Sequence, residues 1–220
     1  MANQPNIAAD LIRIHSIITR GLDVSIEHAQ SFARDGDFDA PTQEGFIIYV
    51  RSLLSVLHAH HLTEDEMAFP YFRDVLPGAP FDALMAQHAE MESLLDECGE
   101  LIERVAADAG AGEALRDLSG VLAQIRERWQ PHIQIEEQHL SPERAADLGV
   151  EEQIRLAKQF AKHTQEHSGP DYLVVPFMLH NLPPEDRAIF SRGMPPVVTE
   201  QLVPVAWKEK WEPMKPFLLD

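Results

Sequence analysis

Two segments of the chain carry histidine and glutamate at the same spacing. One runs from His60 to Pro70 and the other from His132 to Pro142, and both read His-x-x-x-Glu-acid, then four residues and a proline. Residues four apart lie on one face of an α-helix, with Cβ atoms about 6 Å apart. A histidine and a glutamate so placed can hold one metal ion, or the glutamate can bridge that ion to a second one.

A further histidine precedes each segment at nearly the same distance. His15 lies 45 residues before His60, and His88 lies 44 residues before His132. This indicates a duplicated helical hairpin, in which each half supplies one histidine from its first helix and His-x-x-x-Glu from its second. The repeat predicts six metal ligands: His15, His60, Glu64, His88, His132 and Glu136.

These six residues come from apolar helix faces, so folding would bury them together. Two buried carboxylates without a cation would repel each other and lose their hydration, at a cost of several kcal/mol per ion. A pair of divalent or trivalent metal ions removes that cost. Imidazole with carboxylate suits iron and also manganese or zinc, and the set leaves coordination positions for a small exogenous molecule.

Four long stretches with helical periodicity position these residues. They run from about Ile7 to Phe32, Thr42 to Val75, Pro80 to Ala107 and Glu113 to Leu140. No stretch shows the sustained alternation that is typical of a strand. Four helices of similar length with short connections predict an all-α fold, an antiparallel up-down four-helix bundle over residues 1–142.

Residues 143–220 differ in character from the bundle. Residues 143–167 are expected to form one or two more helices, and prolines are dense from Gly169 onward. The segment is nevertheless rich in apolar residues, whereas disorder requires low hydrophobicity. We expect a C-terminal extension of helical and proline-rich pieces, packed on the bundle or at a contact in a homodimer.

The composition restricts the kinds of partner and the cellular compartment that we expect for this protein. The formal charge of −18 repels phosphate backbones, so nucleic acid is not expected as a partner. No apolar run reaches the roughly 20 residues that span a bilayer, and the N-terminal residues lack the layout of a secretory signal. Cys98 is the single cysteine, which fits a reducing cytosol. The expectation is a cytoplasmic protein without a membrane partner.

The pattern His…His-x-x-x-Glu…His…His-x-x-x-Glu over residues 7–142 resembles hemerythrin-like proteins of the HHE cation-binding type. The resemblance implies two iron ions with an oxo or hydroxo bridge, four terminal histidine ligands, and Glu64 and Glu136 as bridging ligands. It also implies reactivity toward oxygen, peroxide or nitric oxide. Oxygen-carrying hemerythrins have a second histidine four residues after the third-helix histidine, where this chain has Glu92. Reversible oxygen carriage of that kind is therefore not expected.

Other histidines near the pattern favour simpler interpretations. His58 and His61 point about 200° and 100° away from His60 on an α-helix, which favours surface positions or contacts to the ligands over metal binding. His163 and His167 form His-x-x-x-His without a third ligand nearby, which indicates a solvated helix end.

Tyr49 lies eleven residues before His60 and returns to the same helix face three turns away. Its ring suits core packing with a satisfied hydroxyl group, and a phenolate ligand is the alternative.

Two functions remain open on the sequence. The first is a non-haem di-iron protein that binds and reacts with a small oxidant in redox or stress protection, as a peroxidase-like or nitric-oxide-handling enzyme. The second is a non-enzymatic protein that stores or senses iron or oxygen and acts through a partner.

Overall fold

A computed structural model describes residues 6–36, 39–107 and 111–219, and within these ranges every regular element is a helix. The predicted all-α fold class is therefore confirmed. The four longest helices are α1 (Ile7–Asp35), α2 (Ala40–Thr63), α4 (Phe81–Ala107) and α5 (Gly112–His139). No helix in the described ranges is both long and apolar enough to cross a membrane.

Local capping defines the start of the first two long helices. The side chain of Asn6 accepts a hydrogen bond from the Ala9 N–H, and that of Asp39 accepts one from the Thr42 N–H, each at 2.9 Å. Both side chains satisfy backbone donors that lack a partner in the first helical turn. α1 ends where Gly36 adopts a left-handed conformation with φ of 66°.

The four long helices pack in a ring. α1 lies between α2 and α5, and α4 lies on the opposite side, also in contact with α2 and α5. Their shared core includes Ile18, Leu22, Leu57, Leu122 and Trp129, all fully buried. This is the four-helix arrangement that the periodicity predicts.

The second helix is not continuous to Val75, as the sequence pattern had suggested. α2 ends at Thr63 and is followed by a π-helical segment, Glu64–Ala68, and then by α3 (Phe69–Val75). The Phe69 N–H bonds to the Glu64 carbonyl, five residues back. Pro70 explains the wider turn, because it has no N–H for the carbonyl of Glu66 and its ring would crowd that carbonyl in an α-helix. Glu64, the first residue of the π segment, is buried.

The C-terminal extension is a series of short helices around one longer helix. It comprises α6 (Pro142–Ala146), α7 (Val150–His167), α8 (Asp171–His180), α9 (Pro184–Phe190) and α10 (Lys208–Trp211). A 3-10 turn at Ser191–Gly193, a π-helical segment at Val198–Ala206 and a 3-10 segment at Glu212–Phe217 complete it.

The extension contributes side chains to the core of the bundle. Phe177, Met214 and Phe217 are buried in the same apolar cluster as Phe46 and Tyr49 of α2. The rings of Tyr49 and Phe177 meet edge-on at 5.0 Å between centroids. Within this one chain, the extension thus covers the α1 and α2 side of the bundle.

Tyr49 bonds to the extension through its hydroxyl group. That group donates to Asn181 Oδ1 at 2.8 Å, and the Arg20 guanidinium contacts both the Tyr49 hydroxyl group and the Asn181 amide oxygen. Burial raises the pKa of Tyr49 well above its usual value, so the phenol stays protonated. In this structure Tyr49 therefore packs in the core with a hydrogen-bonded hydroxyl group, as the first of the two interpretations expects.

Gly45 of α2 lets the extension approach the helix backbone. A Cβ atom added at Gly45 would lie 2.0 Å from the carbonyl oxygen of Pro213. That distance is far inside van der Waals contact, and a backbone carbonyl cannot move aside as a flexible side chain does.

We predict that Gly45→Ala lowers the free energy of unfolding by about 1–3 kcal/mol, because it overpacks this contact. Urea denaturation of the full chain measures the change. Gly120→Ala in α5 is the matched control, since its Cβ would meet no atom of another described element within 4 Å. There the helix propensity of alanine should stabilise the chain by up to about 1 kcal/mol. Equal changes in the two variants would contradict the role given to Gly45.

Candidate metal centre

The structure brings the six predicted ligands together in the interior of the bundle. His15 comes from α1, His60 from α2, Glu64 from the π segment, His88 from α4, and His132 and Glu136 from α5. None of these residues is more than 6% exposed. Helices that carry apolar neighbours on the same face have therefore turned four imidazoles and two carboxylates toward one another.

Each glutamate lies between two histidines from different helices. Oε2 of Glu64 lies 3.4 Å from Nε2 of His60 and 3.5 Å from Nε2 of His88. Glu136 places one oxygen 3.2 Å from Nε2 of His15 and the other 3.4 Å from Nε2 of His132. The side chains thus form two groups of four potential ligands that share both carboxylates. These groups are His15, His60, Glu64 and Glu136, and Glu64, His88, His132 and Glu136.

The central polar atoms lack hydrogen-bond partners among the described residues. This holds for all four carboxylate oxygens of Glu64 and Glu136 and for Nε2 of His15 and His60. A buried polar atom without a partner costs about 1–3 kcal/mol, and a charged one costs more. Cations bound between these atoms would compensate that cost, and imidazole nitrogen with carboxylate oxygen is a donor set that suits iron, manganese or zinc.

The distance between His88 and His132 also fits a bound ion. Their Nε2 atoms are 2.9 Å apart, while Nδ1 of His88 bonds to Asp65 Oδ1 at 2.7 Å and Nδ1 of His132 bonds to Gln87 Oε1 at 2.9 Å. With both Nδ1–H groups donating, the two Nε2 atoms present lone pairs to each other. Two ligand nitrogens at about 2.1 Å from one ion and at right angles are roughly 3 Å apart. The residues present therefore fit a metal ion.

Comparison with known proteins gives the family. The family model for the hemerythrin HHE cation-binding domain matches residues 6–144, which is more than half of the chain. The chain belongs to the hemerythrin HHE family. Membership implies metal binding, in agreement with the two ligand groups.

A curated relative resembles more of the chain than the family domain. The Aspergillus fumigatus protein named Xanthocillin biosynthesis cluster protein F is 24% identical over 203 residues, covering 88% of this chain and 84% of its own length. Because the family match ends at residue 144, this similarity includes much of the C-terminal extension. No solved structure matches the chain significantly.

The acidic residue after each central glutamate has a role that the sequence did not show. Asp65 accepts from Nδ1 of His88 at 2.7 Å, and Glu137 accepts from Nδ1 of His15 at 2.8 Å. In metalloproteins, such a contact fixes the tautomer of the histidine and directs its other nitrogen to the metal. The repeated Glu-acid pair in the sequence could have indicated a role for these residues. Which histidine each of them bonds to depends on helix packing, which the sequence does not show.

The surroundings of the two central glutamates shift their pKa values in opposite directions. Burial, together with the neighbouring carboxylate of Glu136, raises the pKa of Glu64 well above its ordinary value. Burial acts on Glu136 in the same direction, but the adjacent imidazoles of His132 and His15 outweigh it and lower the pKa of Glu136.

Aromatic side chains enclose this HHE site. Trp129 is fully buried and meets the ring of His15 edge-on at 5.4 Å and that of His60 at 5.7 Å between centroids. Phe69 stacks on His88 at 5.5 Å. These walls exclude water, and electrostatic interactions are stronger in such a dry environment.

The histidines outside the predicted ligand set differ in how well they match the sequence-based interpretation. His61 is 2% exposed and contacts His88 and His132, so the surface position expected as one alternative is wrong, and the other alternative, a contact to the predicted ligands, fits. His58 is partly exposed and pairs with Glu92, which places Glu92 away from the central cluster. His163 is not a solvated end, because it bonds to Thr63 of α2 and to Glu66 of the π segment. The exposed neighbour His167 fits the solvated interpretation.

We predict that Asp65→Ala and Glu137→Ala each weaken metal binding by about 10–100-fold, the usual effect of losing a carboxylate that orients a histidine ligand. Competition titration with a chelator of known affinity measures the change. Glu92→Ala is the control, because it removes a carboxylate from a histidine that lies outside the cluster. Unaltered affinity in the first two variants would show that these carboxylates do not orient the ligands.

Proposed function

We propose that the chain is a non-haem di-iron protein that binds a small oxidant, such as dioxygen, peroxide or nitric oxide, and reacts with it. One observation supports this most directly. The two ligand groups share Glu64 and Glu136, and each of these glutamates lies between a histidine of one group and a histidine of the other. Two adjacent ions with shared carboxylates are the arrangement that this pattern favours.

The donor set supports iron and leaves room for an exogenous ligand. Each group offers two imidazoles and two carboxylates, a mixture of nitrogen and oxygen donors that suits iron in more than one oxidation state. An octahedral ion with four protein ligands has two further positions. Bound iron would supply the electrons that reduce an oxidant, as cofactors do generally, and the protein would supply position and surroundings.

The residues of the chain control the surroundings of that chemistry. Asp65, Gln87 and Glu137 orient three of the four histidines through their Nδ1 atoms. Trp129 and Phe69 cover the rings of the ligands. A surface depression lies beside His15 and is lined by Thr19, Gln130, Ile133 and Glu137 among others. A small molecule fits this proposal better than a large substrate.

The first test is the iron content of the full-length protein. Anaerobic loading with iron(II) should give two ions per chain and raise the melting temperature, because a ligand that binds only the folded state stabilises it. Glu64→Gln and Glu136→Gln should lower the iron content, since an amide is a much weaker metal ligand than a carboxylate. Glu127→Gln, on an exposed part of α5, is the control. Two ions per chain in both glutamate variants would refute the shared-carboxylate arrangement.

The second test separates reaction from simple binding. The iron-loaded, reduced protein is mixed in turn with dioxygen, hydrogen peroxide and nitric oxide, with a reductant present in excess. Continued consumption of one oxidant, at a rate that falls in Glu64→Gln, is the expected outcome. A change that stops after one equivalent per site, or that reverses when the gas is removed, would instead favour the storing or sensing function.

A further inference from the structure

His61 is the one buried imidazole in the described part of the centre that has no role in the arrangement above. It is 2% exposed, and neither of its ring nitrogens has a hydrogen-bond partner among the described residues. The Nδ1 atoms of His15, His88 and His132, in contrast, are each held by an acceptor. A polar ring is normally buried only with a partner, since an unpaired donor or acceptor costs free energy. The burial of His61 therefore points to a partner outside the protein, such as a bound ion.

The position of His61 identifies the partner. One nitrogen each of His61, His88 and His132 lies within 4.8 Å of the others. The ring of His61 stacks on that of His88 at 4.1 Å and meets that of His132 edge-on at 5.9 Å between centroids. His61 therefore lies beside the group that contains His88 and His132.

The internal repeat is broken at this position. His60 corresponds to His132, so His61 corresponds to Ile133 in the second half. Ile133 is buried and lines the same depression as His15, and an aliphatic side chain cannot bind a metal. The chain therefore offers an additional imidazole to one ligand group and an apolar side chain at the repeat-related position beside the other.

We infer that His61 is a third imidazole ligand for the metal ion held by His88 and His132, and that the ion held by His15 and His60 has only two imidazoles. This inference rests on the proposed two-metal centre. An ion bound to an imidazole nitrogen lies in the plane of that ring, and two stacked rings do not share such a point. Because the rings of His61 and His88 are stacked in the metal-free chain, His61 would have to rotate about its side-chain bonds to bring a nitrogen to an ion held by His88 and His132.

Unequal ligand sets have a consequence for the exogenous molecule. With three imidazoles and two carboxylates, the His88 and His132 ion has one coordination position left if it is octahedral, whereas the other ion has two. The ion held by His15 and His60 would therefore offer more room to a small molecule. The depression lined by His15, Thr19 and Ile133 is on that side.

The test compares the wild-type chain with His61→Ile, which makes the two halves alike at this position. The protein is loaded anaerobically with iron-57(II), and the affinities of the two ions are measured by chelator competition. We expect His61→Ile to weaken one of the two ions by about 10-fold or more, in line with losses from mutations around metal ligands. The Mössbauer spectrum should show two different iron environments in the wild type and a changed spectrum for one of them in the variant. His58→Gln, which alters a nearby imidazole outside the cluster, should change neither measurement.

The metal-free melting temperature shows that the variant folds, and we expect it to be equal to or higher than the wild-type value because an unpaired polar ring is replaced by an apolar side chain. If His61→Ile folds and binds two ions with unchanged affinities and an unchanged spectrum, the inference about His61 is wrong while the two-metal centre stands. If the wild-type chain itself does not bind two ions, both proposals are wrong.

Discussion

Glu64 and Glu136 lie side by side in the interior of the bundle, and each is flanked by imidazoles from two helices. Two ionised carboxylates cannot remain buried together without positive charge, because their desolvation and mutual repulsion are too costly. In the metal-free chain this constraint is visible in the pKa values, because burial and the neighbouring carboxylate raise the pKa of Glu64, whereas the imidazoles of His132 and His15 lower that of Glu136. Bound cations meet it for both carboxylates at once. Metal binding is consequently coupled to the stability of the fold.

Helix geometry explains why an acidic residue follows each central glutamate in the motif. Successive residues on a helix point about 100° apart, so the residue after an inward glutamate points sideways to a neighbouring helix. α2 neighbours α4, and α5 neighbours α1. Asp65 therefore reaches His88, and Glu137 reaches His15. Each half of the repeat orients the first-helix histidine of the other half, and the two hairpins depend on each other for ligand geometry.

The sequence predicted which six side chains meet in the interior, and which helices carry them, more closely than it predicted the surroundings of these side chains. The six side chains could be predicted because their types, their spacing and their repetition all point to one centre. The place of His61 in the cluster could not be predicted in the same way. A helical wheel gives the angle of His61 relative to His60, but it does not show that His88 and His132 lie in that direction. The π segment was also missed, although Pro70 was a visible signal for a disturbed helix.

The extension was the least predictable part, since its short helices owe their positions to contacts distant in sequence. His163 of α7 illustrates this, because its His-x-x-x-His spacing says nothing about Thr63 and Glu66, to which it bonds. These bonds connect α7 to the segment that begins with Glu64. Thr164 adds a hydrogen bond to the Thr63 hydroxyl at 2.9 Å.

The extension therefore contacts the bundle at two levels. Near the metal centre, α7 packs against α2 and reaches the π segment through the bond between His163 and Glu66. Farther from it, Phe177 and Phe217 fill the core beside Tyr49. A bundle without the extension would uncover Tyr49 and Phe46 and would lose the bonds from His163 and Thr164 to Thr63 and Glu66. The bundle and the extension therefore depend on each other for packing, in agreement with the similarity of the Aspergillus fumigatus relative to both parts of the chain.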